Sequence, residues 1–225
     1  MSVPVRALVL AGGTGPYVDP WHPFAATAAA LAHIAEGLGF EVEIATDVAA
    51  RLADLTGVDL LVASVPAPAT PIEAGVLARA RSGLDKFLAR DVGVFGLHVS
   101  VTTLLGLPAW SELMGARWIA GTTMHPPLGS WPVTVVEPNP LGVPAAEFTL
   151  VDELYSHLAF AGARDAVVSH RLDGRDHDLL WLREAGPVRV VADALGHGAE
   201  SFDSAEHVAI VRAAMRWATD ARETA

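Results

Sequence analysis

No cysteine occurs among the 225 residues of this chain. That absence excludes disulfides, iron–sulfur clusters and zinc–thiolate sites, and it removes the thiol as a covalent nucleophile. Lysine is nearly missing too, Lys86 being the only one, and 15 basic residues stand against 26 acidic ones for a formal net charge of −11. A surface of that sign repels nucleic-acid phosphates, and no Lys/Arg cluster offsets it, so no nucleic-acid partner is expected. Long apolar runs are also lacking. No window approaches the ~20 apolar residues of a membrane span, and the first run, 5–11, is too short and too poorly flanked for a secretory leader. The expectation is a cytoplasmic protein with no membrane partner.

Core-forming material is abundant. At 52% hydrophobic, the chain can bury a substantial core and is read as a single domain over 1–225. Its Ala-rich, apolar composition is compatible with a homodimer. Through the first half, short β-rich runs alternate with helical patterns. Strands are expected at 6–10, 41–45, 58–64 and 92–97, with helices at 23–38 and 71–90, which is the sequence form of a parallel sheet covered on both faces. The stretch 100–115 is helical in character but broken at Gly106-Leu107-Pro108, since proline cannot continue the ladder. From 117 to 193 Gly and Pro become frequent, and strands at 133–137, 166–172 and 188–194 are expected to extend the sheet with antiparallel pieces. An amphipathic helix over 206–221 closes the chain.

Four features fall just after expected strands, where open α/β sheets place their ligands. The first is Gly12-Gly13-Thr14-Gly15, leading through Asp19 and Trp21 to His22. It fails as a dinucleotide fingerprint, because Val18 stands where the third glycine would be, and it carries no P-loop Lys. It reads equally as a ligand loop or a plain turn. The second is Gly96-Leu97-His98-Val99-Ser100. An apolar strand ending in such a turn is a nucleophile elbow, which raises one side chain over the sheet edge. Here that side chain is an imidazole, poorly suited to a covalent acyl intermediate but suited to binding a metal, moving a proton or gripping a polar ligand.

The third is Val151-Asp152-Glu153-Leu154-Tyr155. Consecutive acids on an extended segment point to opposite faces, so one of Asp152 and Glu153 is expected at a site and the other in solvent. The fourth is Gly196-His197-Gly198, whose flanking glycines permit close approach and unusual dihedrals. His125, before two prolines, and His177, between two aspartates, are weaker candidates. Two or three of these histidines with a carboxylate would suit zinc or another divalent ion. No compact H-x-x-x-H pattern is present, so a metal rests on convergence in space. The same groups would equally hold a polyhydroxylated ligand, with Trp21 or Tyr155 stacked on a sugar face.

Taken in order, Gly96-Leu97-His98, the 110–116 segment, Val151-Asp152-Glu153-Leu154-Tyr155, the 177–184 stretch, Leu195-Gly196-His197 and Ala214-Met215-Arg216-Trp217-Ala218 resemble the ThuA-like family. That family is associated with trehalose utilisation and has the class I glutamine amidotransferase-like, flavodoxin-related fold. The resemblance implies a three-layer α/β architecture with a mostly parallel central sheet and helices on both faces. It implies that His98 takes the position of the amidotransferase cysteine, so glutamine hydrolysis is not expected. It also implies that His22, His98, Glu153 and His197 gather at one pocket. The expected function is carbohydrate metabolism on a small sugar-like ligand, with His98, His197 and Glu153 as acid/base groups or metal ligands and Trp21, His22, Gly13, Tyr155 and Gly196 as ligand contacts. The alternative is a non-catalytic small-molecule-binding module on the same scaffold.

Overall fold

In the computed structural model, residues 4–144 and 146–220 are described. The elements in chain order are β1 (Arg6–Ala11), α1 (Phe24–Glu36), β2 (Glu41–Ala45), α2 (Val48–Leu52), β3 (Leu60–Ser64), α3 (Ala74–Leu88), β4 (Val92–Leu97), α4 (Pro108–Met114), β5 (Ala116–Arg117), β6 (Gly129–Val135), β7 (Glu147–Asp152), β8 (Ala159–Phe160), β9 (Asp165–Leu172), β10 (Arg175–Ala185), β11 (Val188–Asp193) and α5 (Ala205–Thr219). Short 3-10 turns occupy His98–Val101 and Ala199–Asp203.

Apart from Arg6, every residue of β1, β3 and β4 is buried, as strands covered on both faces require. Successive side chains point to opposite faces, and two cores result. Leu8, Leu61 and Val94 join Leu52, Leu84, Phe87 and Trp110 from α2, α3 and α4 on one side. Val9, Val62 and Phe95 join Leu31, Ala35, Val211 and Met215 from α1 and α5 on the other. The three-layer α/β architecture is as expected.

Strand β5 pairs with β8, and apart from that pair a sheet of nine strands runs β2-β1-β3-β4-β11-β10-β9-β6-β7. The first five are mutually parallel and every later pairing is antiparallel. The sheet is therefore mixed, its parallel half sitting where strands alternate with helices. The antiparallel half follows from tight turns. Asp173 and Gly174, both at positive φ (50° and 75°), close the β9–β10 hairpin, the backbone a primed two-residue turn demands. Neither β10 as a strand nor α2 was foreseen, because β10 lacks clean alternation and α2 spans little more than one turn. The 100–115 region breaks where expected, with Pro108 in the first turn of α4. Helix α3 starts three residues after Pro71, because the Glu73 carboxylate accepts the N–H groups of Gly75 and Val76 (2.8 and 3.2 Å) and caps it there. Among the described residues, no helix is long and apolar enough to cross a membrane.

Helices α2 and α3 approach closely at Gly83, where an added Cβ would fall onto the carbonyl oxygens of Leu52 and Ala53. Helix propensity alone favours Gly83→Ala by ~1 kcal/mol. The backbone contact reverses that sign, and we expect a net loss of about 1–3 kcal/mol, read as a lower midpoint in chemical denaturation. A midpoint equal to or above the parent's would show that the two helices separate freely.

Candidate functional site

The parallel strands β1, β3, β4 and β11 end at one edge of the sheet, where their loops meet. His98 follows β4 directly. It holds a φ of 47°, a conformation unfavourable for a residue with a Cβ, which persists only when its surroundings fix it. They do. The Ser100 hydroxyl accepts the Val65 N–H (2.8 Å) and donates to the Val65 carbonyl (3.0 Å), tying the turn to the end of β3. Trp110 donates its indole N–H to the Ser100 carbonyl at 2.6 Å. The His98 ring is only 2% exposed. Its Nδ1 lies 2.9 Å from the Ala194 carbonyl, an acceptor only, so Nδ1 carries a proton. In the neutral ring Nε2 then presents its lone pair, which accepts the Tyr155 hydroxyl at 3.1 Å.

The segment after β7 folds back from the far end of the sheet to the same place. Asp152 was one of two acids of which the spare member was expected in solvent. It is instead 0% exposed. Its carboxylate accepts the N–H groups of Gly196 (2.7 Å), His197 (3.2 Å) and Glu153 (2.8 Å). Asp152 meets the backbone of the 196–197 loop and Glu153 the His197 ring on that same loop, so the acid expected in solvent is covered by the loop. Gly196 adopts φ 91°, and a Cβ there would press on Leu97. Only glycine allows the loop this approach.

Glu153 points into the pocket. Its Oε2 lies 3.2 Å from His197 Nδ1, 3.7 Å from His98 Nε2 and 3.5 Å from His125 Nε2. Burial resists ionisation of this carboxyl. The His197, His98 and His125 imidazoles gathered around it outweigh burial and hold it well below the usual carboxylate range. Glu153 in turn raises the His197 imidazole. The His197 Nδ1 atom is buried and, although within ion-pairing distance of Glu153, is off line for a hydrogen bond and has no other partner.

His22 arrives from the β1 side. Gly13 at φ 96° and a bridge between Thr14 and Tyr17 turn the chain, and Asp19 then accepts the N–H groups of Trp21 and His22 at 2.9 Å each. The other Asp19 oxygen is 2.7 Å from His22 Nδ1, which leaves Nε2 for the pocket. Burial lowers the His22 pKa against the pull of Asp19, and the nearby His98 and His197 lower it further.

His22, His98 and His197 thus meet with ring centroids 4.8–5.3 Å apart. One nitrogen or oxygen atom from each of these three and from Glu153 falls within 4.8 Å of every other. Tyr155 lies against His98, the ring centroids 4.4 Å apart and the planes tilted by 38°. Trp21 shares a wall of the adjoining cleft with His22. It is 71% exposed there. His125, rated weak from its prolines, stands at the pocket mouth beside Glu153. His177 lies elsewhere, packed with His157 and His170 at 4.5 and 5.3 Å, where burial and the neighbouring His177 depress His170 to about 4.

The supporting roles of two groups were not legible in the residues. Asp152 is the first. The second is Asp193, whose Oδ1 accepts the Leu195 N–H (3.1 Å) and whose Oδ2 pairs with His207 Nε2 (2.9 Å). His207 Nδ1 contacts Ser201 Oγ at 3.0 Å. The order Ser-His-Asp is that of a hydrolase triad, but all three side chains are 0% exposed, so no substrate reaches them and the set braces the loop bearing His197. His207 lies four residues before Val211 on α5 and is buried with it, a signal that the inward stripe assigned to this helix did not include.

Comparison with proteins of curated function gives no match. Among solved structures, a putative ThuA-like protein from Parabacteroides merdae superposes with a TM-score of 0.78 at 16% identity, covering 99% of this chain and 93% of its own. One from Bacteroides uniformis gives 0.71 at 17%, covering 97% and 93%. A β-galactosidase from Rahnella sp. R3 contains a similar fold within 32% of its length, with 97% of this chain covered, a TM-score of 0.58 and 14% identity. At these identities the likeness is one of fold. The family model described as ThuA, trehalose utilisation, matches residues 6–218, and the chain belongs to that family.

Proposed function

We propose that this protein works in carbohydrate metabolism by binding a small sugar-like ligand at the His22, His98, His197 and Glu153 cluster, with one divalent cation such as zinc held there. A cysteine-free chain suits the reducing cytoplasm in which we place it. The observation that carries the reading is the convergence of four ligating atoms within 4.8 Å, with the remote nitrogens of His22 and His98 already fixed by Asp19 and the Ala194 carbonyl. That is how proteins orient imidazoles toward a metal. The buried, unpartnered His197 Nδ1 is the kind of atom an ion satisfies. A bound divalent ion supplies Lewis-acid polarisation of a sugar oxygen or a water. The chain itself supplies the rest: with an ion bound, Glu153 and His197 would help hold it, and the Tyr155 hydroxyl, kept protonated by burial and by the Glu153 charge, donates into the site. With an imidazole at the elbow, the scaffold has no thiol for glutamine hydrolysis.

A second reading has its own observation. The Tyr155 hydroxyl occupies His98 Nε2, so that ring is already satisfied without metal, as a non-catalytic binding module needs. Metal content separates the two. After zinc supplementation and desalting, elemental analysis is expected to find about one ion per chain, with His22→Ala, His98→Ala or Glu153→Gln each losing most of it. Asp19→Asn should keep the fold and weaken zinc affinity about 10–100-fold. A parent protein without metal, or folded variants that retain it, rejects the first reading in favour of the second.

Protonation gives an independent check on the metal-free protein. His197 is raised and Glu153 lowered, so their mutual stabilisation is present between the ordinary carboxylate and imidazole pKa values. The His197 contribution is lost as pH rises through its folded pKa, and that of Glu153 as pH falls through its own. The His197 imidazole is expected to titrate above 6.5, and Glu153→Gln to move that midpoint down, in an NMR pH titration. An unmoved midpoint contradicts the pairing.

A further inference from the structure

Beside the cluster lies an open cleft of about 550 Å³ whose walls include Val18, Trp21, Pro66, Val99, Trp118 and Tyr155. That volume is in the range of small-molecule sites. Trp21, Trp118 and Val18 are 71%, 40% and 41% exposed here, and this is unusual company at the mouth of a polar pocket. Trp118 stands edge-on to Tyr155 at 5.0 Å, while Tyr155 bonds His98, so the aromatic wall is continuous with the histidines.

His22 and Thr103 also line the cleft, at its polar end, and several of its other polar groups are committed. The Asp19 carboxylate accepts from His22 and two backbone N–H groups. The Thr102 hydroxyl donates to the Val99 carbonyl at 3.0 Å, and that of Tyr155 is turned to His98. A sugar ring stacks one face on an indole but needs partners for its equatorial hydroxyls, and burying those without partners is costly. An aryl or alkyl group has no such need.

Building on the sugar reading above, we infer that the ligand is a glycoside with an apolar aglycone: the sugar ring meets the histidine and Glu153 cluster, and the aglycone lies in the cleft against Trp21 and Trp118. The two regions divide the ligand by polarity, and the cleft selects for what the sugar carries.

The test is calorimetric titration of the zinc-supplemented full chain with phenyl glucoside, methyl glucoside, trehalose and 4-nitrophenol. Phenyl glucoside is expected to bind at least about tenfold more tightly than methyl glucoside, the ratio that burying a phenyl ring gives, and more tightly than trehalose. Trp21→Ala and Trp118→Ala should bring the phenyl-to-methyl ratio to within about twofold while metal content and melting temperature stay at the parent values. Equal binding of the two glucosides, or tightest binding of trehalose, overturns the aglycone assignment and leaves the sugar site standing. Binding of 4-nitrophenol with no glucoside bound overturns the sugar reading itself. Concentration-dependent dimerisation abolished by Trp21→Ala, with no glucoside preference, gives the cleft to a second copy of the chain and overturns the proposal.

Discussion

The Asp152 carboxylate is the interaction on which the site depends. It is wholly buried and accepts three backbone N–H groups, those of Glu153, Gly196 and His197. A buried carboxylate needs such donors, because leaving it unpaired costs several kcal/mol. Satisfying it locks β7, at the far end of the sheet order, to the loop after β11 near its centre. Glu153 and His197 then face each other across the pocket as neighbours on a common anchor.

The strained turn at His98 works by the same logic. A residue at φ 47° is held by a serine that bonds both backbone groups of Val65 and by the Trp110 indole. Rigid neighbours keep the imidazole in one tautomer, with Nδ1 donating to the Ala194 carbonyl. Asp193 and the buried His207 steady the same 193–197 segment from beneath. Three loops from separated parts of the chain are thus fixed by buried polar bonds, each nearly free of solvent competition.

The charge balance of the pocket follows from that geometry. Burial lowers the His22 ring, with smaller contributions from His98 and His197, while the Glu153 carboxylate raises the His197 ring beside it. Past Tyr155 and Trp118 the cleft walls are mostly apolar. A ligand that spans this boundary meets two different solvents.

Much of this was legible in the residues. Short apolar runs alternating with helical stripes fix the parallel half of the sheet, because local burial patterns reflect local geometry, and Gly-rich turns after strands mark where loops can approach a ligand. The glycine-flanked His197 and the elbow at His98 stood out for that reason. The role of Asp152, the bracing by Asp193 and His207, and the arrival of His125 beside Glu153 were decided by tertiary structure alone. Each depends on contacts between segments tens of residues apart, such as the 44 positions between Asp152 and Gly196. A periodicity tells which way a side chain points from its own strand, but whether that face meets water or another loop is set by how the whole chain closes.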